Sequence, residues 1–196
     1  MKKWLGIVLA TAVGATMLAA GKDAPAASGK AAARKADPAA APAAERGKYL
    51  VEILACGDCH TPKKMGPAGP EDDASRLLSG HTGEAPVPAP GANGPWIAHT
   101  TGQMTAWAGP WGTSFARNLT PDENTGIGSW SEATFVKALR TGKHMGVSRP
   151  ILPPMPWQAC AKMTDEDLKA VYAYLRTIPP IHNPTPDPIA PAGARP

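Results

Sequence analysis

A run of five residues, Cys56-Gly57-Asp58-Cys59-His60, holds the side chains of this sequence that are best suited to chemistry. The C-x-x-C-H spacing is the signature of covalent c-type haem attachment, in which each thiol forms a thioether with a haem vinyl group. The adjacent imidazole of His60 then becomes an axial ligand of the iron. The motif occurs once. The sequence therefore predicts one covalently bound haem c, held by Cys56, Cys59 and His60, whose chemistry is mainly one-electron transfer.

Two other kinds of site also use a C-x-x-C pair. Structural zinc needs four ligands, usually from two close pairs, and a thioredoxin-like dithiol lies in a βαβ pattern that does not surround this motif. The remaining candidate ligands, among which no second close pair occurs, are Cys160, His81, His99, His144 and His182. Cys160 is left over by the motif. We expect it to be a small buried residue, with a reactive or ligating thiol as the alternative.

The composition divides the chain into four parts. Residues 1–20 predict a signal peptide, because two lysines precede an apolar stretch that ends in small residues. Residues 21–44 are Ala/Pro-rich and predict a linker, and the Pro-rich tail 183–196 is interpreted in the same way, as a tether. Between them, residues 45–182 predict a single domain. The signal implies export to the periplasm, with a membrane anchor as the alternative if it is not cleaved.

The charge balance argues against a nucleic-acid partner. The whole chain has a formal net charge of +4. Within residues 45–182, however, basic and acidic residues are equal in number, 13 of each. The excess of positive charge thus belongs to the terminal segments, and no basic patch is predicted on the domain.

Apolar periodicity predicts three helices, over residues of about 43–56, 131–141 and 164–177. The first has an apolar face that includes Gly47 and leads the chain into the motif. Ser131 and Thr164 are predicted N-caps of the other two helices, and Gly142 is the predicted stop of the second. The third helix carries the apolar stripe Leu168, Val171, Tyr172 and Leu175. We expect this stripe to cross the first helix near Gly47.

No strand is predicted anywhere in the chain. Residues 61–128 are rich in Gly and Pro, and we expect them to form long irregular loops. A loop of this length is unusual in a compact domain, but a large apolar cofactor would supply the core that such loops need. The fold class is therefore predicted to be all-α, with three main helices and long loops wrapped around one covalently attached haem.

A methionine is the expected second axial ligand, because Met ligation raises the reduction potential and suits an electron carrier. The candidates are Met65, Met104, Met145, Met155 and Met163. Met65 is too close to His60 in sequence, and Met163 is better explained as part of a helix start. Met104 and Met145 remain open. Met155 is preferred because the flanking prolines of Pro153-Pro154-Met155-Pro156-Trp157 make its loop stiff.

The order of helix, C-x-x-C-H motif, long loop, proline-flanked Met and C-terminal helix resembles the class I cytochrome c family. More specifically, the chain is similar to mono-haem bacterial cytochromes c related to the cytochrome subunits of periplasmic dehydrogenases. The segments that carry this similarity are Cys56–Pro62, Asn118–Asp122, Thr125–Trp130, Pro153–Trp157 and Thr164–Pro180. The resemblance implies the cytochrome c fold and Met155 as the iron ligand. Many relatives carry two or three haems, whereas this chain has one motif.

Further residues are expected to line the haem. Asn118, Trp130 and Trp157, together with Arg117, can supply N–H groups to the buried propionates, with packing or solvation as the alternative role. A backbone carbonyl from Pro67 or Pro70 is expected to accept a hydrogen bond from Nδ1 of His60.

The predicted function is that of a periplasmic electron carrier rather than an enzyme. Its expected partners are redox proteins, a dehydrogenase upstream and an oxidase or another cytochrome downstream. The alternative is a haem enzyme, or a cytochrome subunit of a dehydrogenase complex, with a labile sixth ligand. A positive rim for docking is one interpretation of the basic side chains Lys63, Lys64, Lys143, His144 and Arg149, and ordinary solvated surface is the other.

Overall fold

Helices and two small antiparallel sheets make up the domain. The computed structural model describes residues 40–83 and 97–191. The helices are α1 (Ala40–Ile53), α2 (Cys56–His60), α3 (Glu132–Thr141), α4 (Trp157–Cys160) and α5 (Asp165–Leu175). The strands are β1 (Lys63–Gly66), β2 (Gly69–Asp72), β3 (His99–Thr100), β4 (Ala106–Gly109) and β5 (Gly112–Phe115). No helix in the described ranges is long and apolar enough to cross a membrane.

The predicted signal peptide lies outside the described residues, as does the predicted linker up to residue 39. The last residues of that linker, 40–44, belong to α1, which begins three residues earlier than the sequence predicts. An alanine-rich segment can extend a helix at little cost, because alanine has the highest helix propensity.

The first and last helices cross at a glycine, as predicted. Gly47 is buried, and a Cβ built on it would lie 1.9 Å from the carbonyl oxygen of Ala170 in α5. The two helix backbones can approach this closely only because Gly47 has no side chain. On either side of the crossing, Leu50 and Val51 of α1 and Val171 of α5 are buried in the core.

The predicted caps of α3 and α5 are confirmed. Ser131 Oγ accepts a hydrogen bond from the backbone N–H of Thr134 at 3.1 Å, and Thr164 Oγ1 accepts one from Asp167 at 3.1 Å. Gly142 ends α3 with a left-handed φ of 64°. Such caps satisfy the N–H groups and carbonyls that a helix end leaves unpaired.

The expectation of a chain without strands is wrong, and the fold is not strictly all-α. β1 and β2 form a hairpin in which Gly66 pairs with Gly69, and β3, β4 and β5 form a second sheet in the order β3-β4-β5. Two of the Gly/Pro segments expected to be loops are hairpin turns, at Gly66–Gly69 and Gly109–Gly112. These strands have at most four residues, and most show no alternation of apolar and polar residues, so periodicity gives no signal for them.

The predicted tether at the C-terminus is also incorrect as far as residue 191. Asn183 is buried, with 6% of its surface exposed, and the backbone of Ile189 exchanges hydrogen bonds of 2.8 and 2.9 Å with Thr113 of β5. We call this extended Pro-rich segment, residues 183–191, the strap. Proline favours an extended chain because it fixes φ, and it needs no hydrogen-bond acceptor because it has no backbone N–H.

Candidate haem-binding site

The C-x-x-C-H motif forms the short helix α2. Ala55 lies between α1 and α2, and its left-handed backbone conformation (φ 53°) separates the two helices. The far end of α2 is fixed by the fully buried Thr61, whose backbone N–H donates to Gly57 at 2.9 Å. The hydroxyl of Thr61 in turn accepts a hydrogen bond from Leu78 at 3.0 Å. Cys56, Cys59 and His60 are therefore held on one rigid turn.

A backbone carbonyl orients His60, but not the one that the sequence predicts. The Nδ1 atom lies 2.8 Å from the carbonyl oxygen of Arg117, rather than near Pro67 or Pro70. Since a carbonyl can only accept a hydrogen bond, Nδ1 carries the proton and Nε2 keeps its lone pair. Burial lowers the pKa of His60, outweighing the opposite effect of this hydrogen bond. The ring is accordingly neutral and its Nε2 is ready to bind a metal.

A large apolar cavity opens beside α2. Its volume is about 490 Å³, which is within the range of about 300–1,000 Å³ that is typical of cofactor sites. Both cysteines and His60 line it, and most of the remaining wall is apolar, with contributions from Val51, Leu119, Ile127, Phe135, Leu139 and Leu152. The residues present fit a haem in three respects: two thiols, an imidazole with a free nitrogen, and an apolar chamber beside them.

The two cysteines are in surroundings that favour their neutral form. Burial raises the pKa of Cys56 to about 11, and burial also raises the pKa of Cys59.

Among the described residues, no three His, Cys, Asp or Glu side chains are grouped so as to hold a metal ion. The zinc alternative thus has no partner cluster in this part of the chain.

Two of the five candidate methionines line the cavity, Met155 and Met163. Met155 is held in its proline-rich loop by its backbone N–H, which donates to Leu152 at 3.3 Å, and by its carbonyl, which accepts from Trp157 at 2.9 Å. Met65 is 79% exposed on the β1–β2 hairpin, and neither Met104 nor Met145 contributes to the wall. Cys160 also lines the cavity, close in sequence to Met155.

The two tryptophans that were predicted to line the haem have different roles in the structure. Trp130 lines the cavity and packs edge-on against His144, with ring centroids 5.2 Å apart. Trp157 is not part of the cavity wall. Its indole covers the end of α3 instead, where a Cβ on Gly142 would lie 2.4 Å from the ring. Trp157 is therefore a packing residue.

Asn118 lines the cavity, but its side chain has no free donor for a propionate. Its Nδ2 donates to Thr125 Oγ1 at 3.1 Å and to the carbonyl of Ile181 at 2.8 Å. Its Oδ1 accepts from the backbone and hydroxyl of Thr120. With both amide hydrogens in use, Asn118 holds the chain around Arg117 in place rather than donating to a cofactor.

The segment 118–128 delivers an apolar residue to the cavity. The carboxylate of Asp122 accepts hydrogen bonds from the backbone and the hydroxyl of Thr125 at 2.7 and 2.6 Å. These contacts, led by that hydroxyl, lower the pKa of Asp122. Gly126 and Gly128 allow the turn to fold onto the backbone of residues 120–122. The turn places Ile127, 3% exposed, against the cavity and the core.

The basic residues of the expected docking rim have different surroundings: His144 and Arg149 line the cavity, and the three lysines do not. Lys63 has a side chain only 9% exposed and donates to Gly57 O and to Asp72. Lys64 pairs with Glu71 at 3.5 Å. Arg117 lines the cavity as well. Burial, followed by the nearby positive charges of Arg149 and Arg117, lowers the pKa of His144.

Comparison with known proteins places this arrangement in a family. Residues 44–179 match the family model described as Cytochrome c. The chain belongs to the cytochrome c family. This confirms the resemblance noted in the sequence, and with it an electron-transfer function that depends on haem c and its iron. The matched residues run from α1 to just beyond α5 and include all the lining residues of the cavity except Pro188.

Two of the proteins to which this cytochrome c is similar are by name cytochrome subunits of dehydrogenases. It is 30% identical over 146 residues to the fructose dehydrogenase cytochrome subunit of Gluconobacter japonicus, covering 74% of this chain and 23% of that protein. It is 45% identical over 67 residues to the gluconate 2-dehydrogenase cytochrome c subunit of Pantoea cypripedii, covering 34% of this chain and 15% of that protein. A diheme cytochrome c-type protein of Cereibacter sphaeroides is 29% identical over 143 residues, covering 72% of this chain and 37% of that protein. The chain thus spans well under half the length of each.

Sequence reasoning missed several residues of this cytochrome c site. Trp107 and Phe115 line the cavity from β4 and β5, and they were missed together with those strands. The carbonyl of Arg117 was missed because backbone groups leave no trace in residue identity. For Trp107, the one signal that the sequence offers is an aromatic residue within a Gly-rich segment.

Proposed function

We propose that this protein is a periplasmic electron carrier with one haem c, attached through thioethers to Cys56 and Cys59 and ligated by His60 and Met155. The observation that carries the proposal is the meeting of the C-x-x-C-H helix and the Met155 loop at one apolar cavity of about 490 Å³. When bound, the haem supplies a site that gains and loses one electron.

The side chains have separate tasks in this proposal. Cys56 and Cys59 fix the cofactor on a rigid helical turn. His60 keeps Nε2 free for iron because its Nδ1 proton is bonded to Arg117 O. Apolar residues such as Ile127 and Phe135 exclude water from the site. Because fewer water molecules must reorient when the charge changes, the reorganisation energy of electron transfer is lower. The apolar thioether of Met155 belongs to the same environment and favours the ferrous state.

The choice of Met155 over Met163 rests on the loop that carries each residue. Met163 packs against the hydrophobic core just before α5, where its position also serves the helix start. Met155 lies in a loop that lines the cavity and contains three prolines, so this stiff loop can hold a weak ligand at small entropic cost. The structure therefore supports Met155 as the ligand and Met163 as part of the wall.

Paired methionine variants test this ligation. Met155→Ala should keep the covalent haem, lose the methionine–iron charge-transfer band and lower the reduction potential, because a soft sulfur ligand stabilises ferrous iron. Met163→Leu, which keeps an apolar side chain of similar volume, should keep the band. Retention of the band in Met155→Ala and its loss in Met163→Leu would show that the other wall methionine is the ligand. A redox titration of the wild type should follow a single one-electron curve.

The proposed partners are redox proteins, a dehydrogenase upstream and an oxidase or another cytochrome downstream. The support is that two similar proteins are by name cytochrome subunits of dehydrogenases for fructose and gluconate. Mixing the oxidised protein with a dehydrogenase and its substrate, and following the reduction of the haem by absorbance, tests the upstream part. Reduction that is no faster than with substrate alone would argue against that dehydrogenase.

A haem enzyme with a labile sixth ligand is the second candidate function. The observation in its favour is that Cys160 lines the same cavity as Met155, so its thiol would be available to displace the thioether of Met155 from a bound haem. A high-spin spectrum that changes on addition of small ligands such as cyanide or azide would support the enzyme. A low-spin spectrum that does not change supports the carrier.

A further inference from the structure

We infer that the C-terminal strap, residues 183–191, positions the axial histidine by clamping the chain segment that presents the Arg117 carbonyl to His60. The inference rests on the proposed role of His60 as the iron ligand. The strap follows α5, and it is connected to His60 through residues 79–81 and 116–117.

The first clamp is Asn183. Its Nδ2 atom donates to the carbonyl of Ser79 at 2.8 Å and to that of His81 at 2.9 Å, and its backbone N–H donates to Thr125 Oγ1 at 2.9 Å. A buried amide that satisfies two backbone carbonyls in this way is expensive to remove, because each carbonyl would be left without a partner. Asn183 therefore fixes the segment 79–81 to the strap.

The segment 79–81 is in turn joined to the residues around Arg117. The backbone N–H of His81 donates to the carbonyl of Ala116 at 2.8 Å, and that of Gly80 donates to the carbonyl of His60 at 2.8 Å. A Cβ on Gly80 would lie 2.6 Å from Ala116 O and from the carbonyl carbon of Arg117. The segment thus contacts the backbone of both the axial histidine and its carbonyl partner.

The second clamp acts on Arg117 itself. Its guanidinium Nη1 donates to the strap carbonyls of Thr185 at 3.0 Å and Pro186 at 3.2 Å. The strap is anchored beyond this point by the pairing of Ile189 with Thr113. Arg117 is consequently held by its side chain on one side, while its carbonyl faces His60 on the other.

The consequence for His60 is a fixed ring orientation. A hydrogen bond from the ring nitrogen that does not bind the metal sets the tautomer and the basicity of a ligating imidazole. Loosening the strap should let the Arg117 carbonyl move, so the Nδ1–H of His60 should exchange faster with solvent. A less basic imidazole stabilises ferric iron less, so the reduction potential should also rise.

Hydrogen exchange in the reduced, haem-loaded protein tests this inference. We expect Asn183→Ala to increase the exchange rate of the His60 Nδ1–H by about tenfold, since a tenfold change corresponds to about 1.4 kcal/mol, the scale of a hydrogen bond or two. The backbone N–H of Val171, in the core helix α5, serves as the internal reference and should change less than twofold. Asp187→Asn is the matched strap variant. Asp187 is exposed and its ion pair with Arg117 is 3.8 Å long, so this variant should leave both rates unchanged.

The outcomes separate the inference from the proposed function. Equal acceleration at His60 and Val171 in Asn183→Ala would mean general destabilisation and would overturn the inference, as would an unchanged rate at His60. If Asn183→Ala does not fold, Arg117→Met replaces it, because methionine keeps a long side chain but has no N–H to donate to the strap carbonyls; the same increase at His60 is then expected, and no increase overturns the inference. A wild-type protein without covalent haem would instead contradict the proposed function.

Discussion

Replacement of Gly47 by alanine should destabilise the protein, although alanine is the better helix former. Helix propensity alone would stabilise Gly47→Ala by about 1 kcal/mol. The new Cβ, however, would lie 1.9 Å from Ala170 O and 2.8 Å from Tyr174 Cβ, where ordinary contacts begin at 3.4 Å. The nearest atom belongs to the backbone of α5, so no side-chain rotation can relieve the overlap, and the two helices must separate by about 1.5 Å.

The net effect follows from these opposing contributions. Overpacking of a filled core costs about 1–3 kcal/mol, and contact with a backbone atom places Gly47→Ala at the upper end. After subtraction of the gain in propensity, the variant should be less stable by about 2 kcal/mol, which lowers Tm by about 4–8 °C for a domain of this size. Thermal unfolding of the haem-loaded protein, followed by circular dichroism, measures it.

Glu45→Ala is the control variant, because it also introduces an alanine into α1 but on the exposed side of the helix. It should change Tm by no more than about 2 °C, since surface substitutions usually stay within about 0.5 kcal/mol. A Gly47→Ala protein that is as stable as the wild type, or more stable, would refute the close crossing of α1 and α5.

Three further predictions concern the local structure. Thr164→Ala removes the cap bond to Asp167 N and should lower the free energy of unfolding in urea by about 1 kcal/mol; an unchanged urea midpoint would contradict the cap. Gly142→Ala must adopt a φ of 64° and would meet the Trp157 ring, so it should lower Tm more than Thr164→Ala does, and an equal or smaller decrease would argue against that contact. The hydrogen bonds from Thr125 keep the pKa of Asp122 in the folded protein below its value in the unfolded chain. The ionised carboxylate therefore stabilises the fold above about pH 4, the unfolded pKa, and this stabilisation is lost as the pH falls through the lower pKa of the folded state. Asp122→Asn should therefore lower stability more at pH 7 than at pH 3, and urea midpoints with the same difference at both pH values would contradict this.

Features that depend on local sequence were predictable. The C-x-x-C-H spacing pointed to the cytochrome c family, and the caps at Ser131 and Thr164 were found because each is a local pattern of side chain and backbone. The crossing at Gly47 was predictable because a glycine in an apolar helical face suggests close approach of another backbone. These signals are all contained within a few residues of one another.

Features that depend on distant contacts were not predictable. The strands β1 to β5 have no periodicity of their own, and their stability comes from pairing with a neighbour and packing on the rest of the domain. The expected partner of His60 was Pro67 or Pro70, near in sequence, whereas the actual partner, Arg117, is 57 residues away. Asn118 was expected to donate to the cofactor because residue type does not reveal that Thr125 and Ile181 already use both its hydrogens.

The covalent attachment of one haem through Cys56 and Cys59 is the central claim, and the intact mass of the denatured protein tests it most directly. The protein purified after export should have the mass of its polypeptide plus one haem, and Cys56→Ala/Cys59→Ala should have the mass of its polypeptide alone. A wild-type mass without haem would contradict the claim. So would a haem adduct that survives denaturation in the double variant, since the cofactor would then be bound elsewhere.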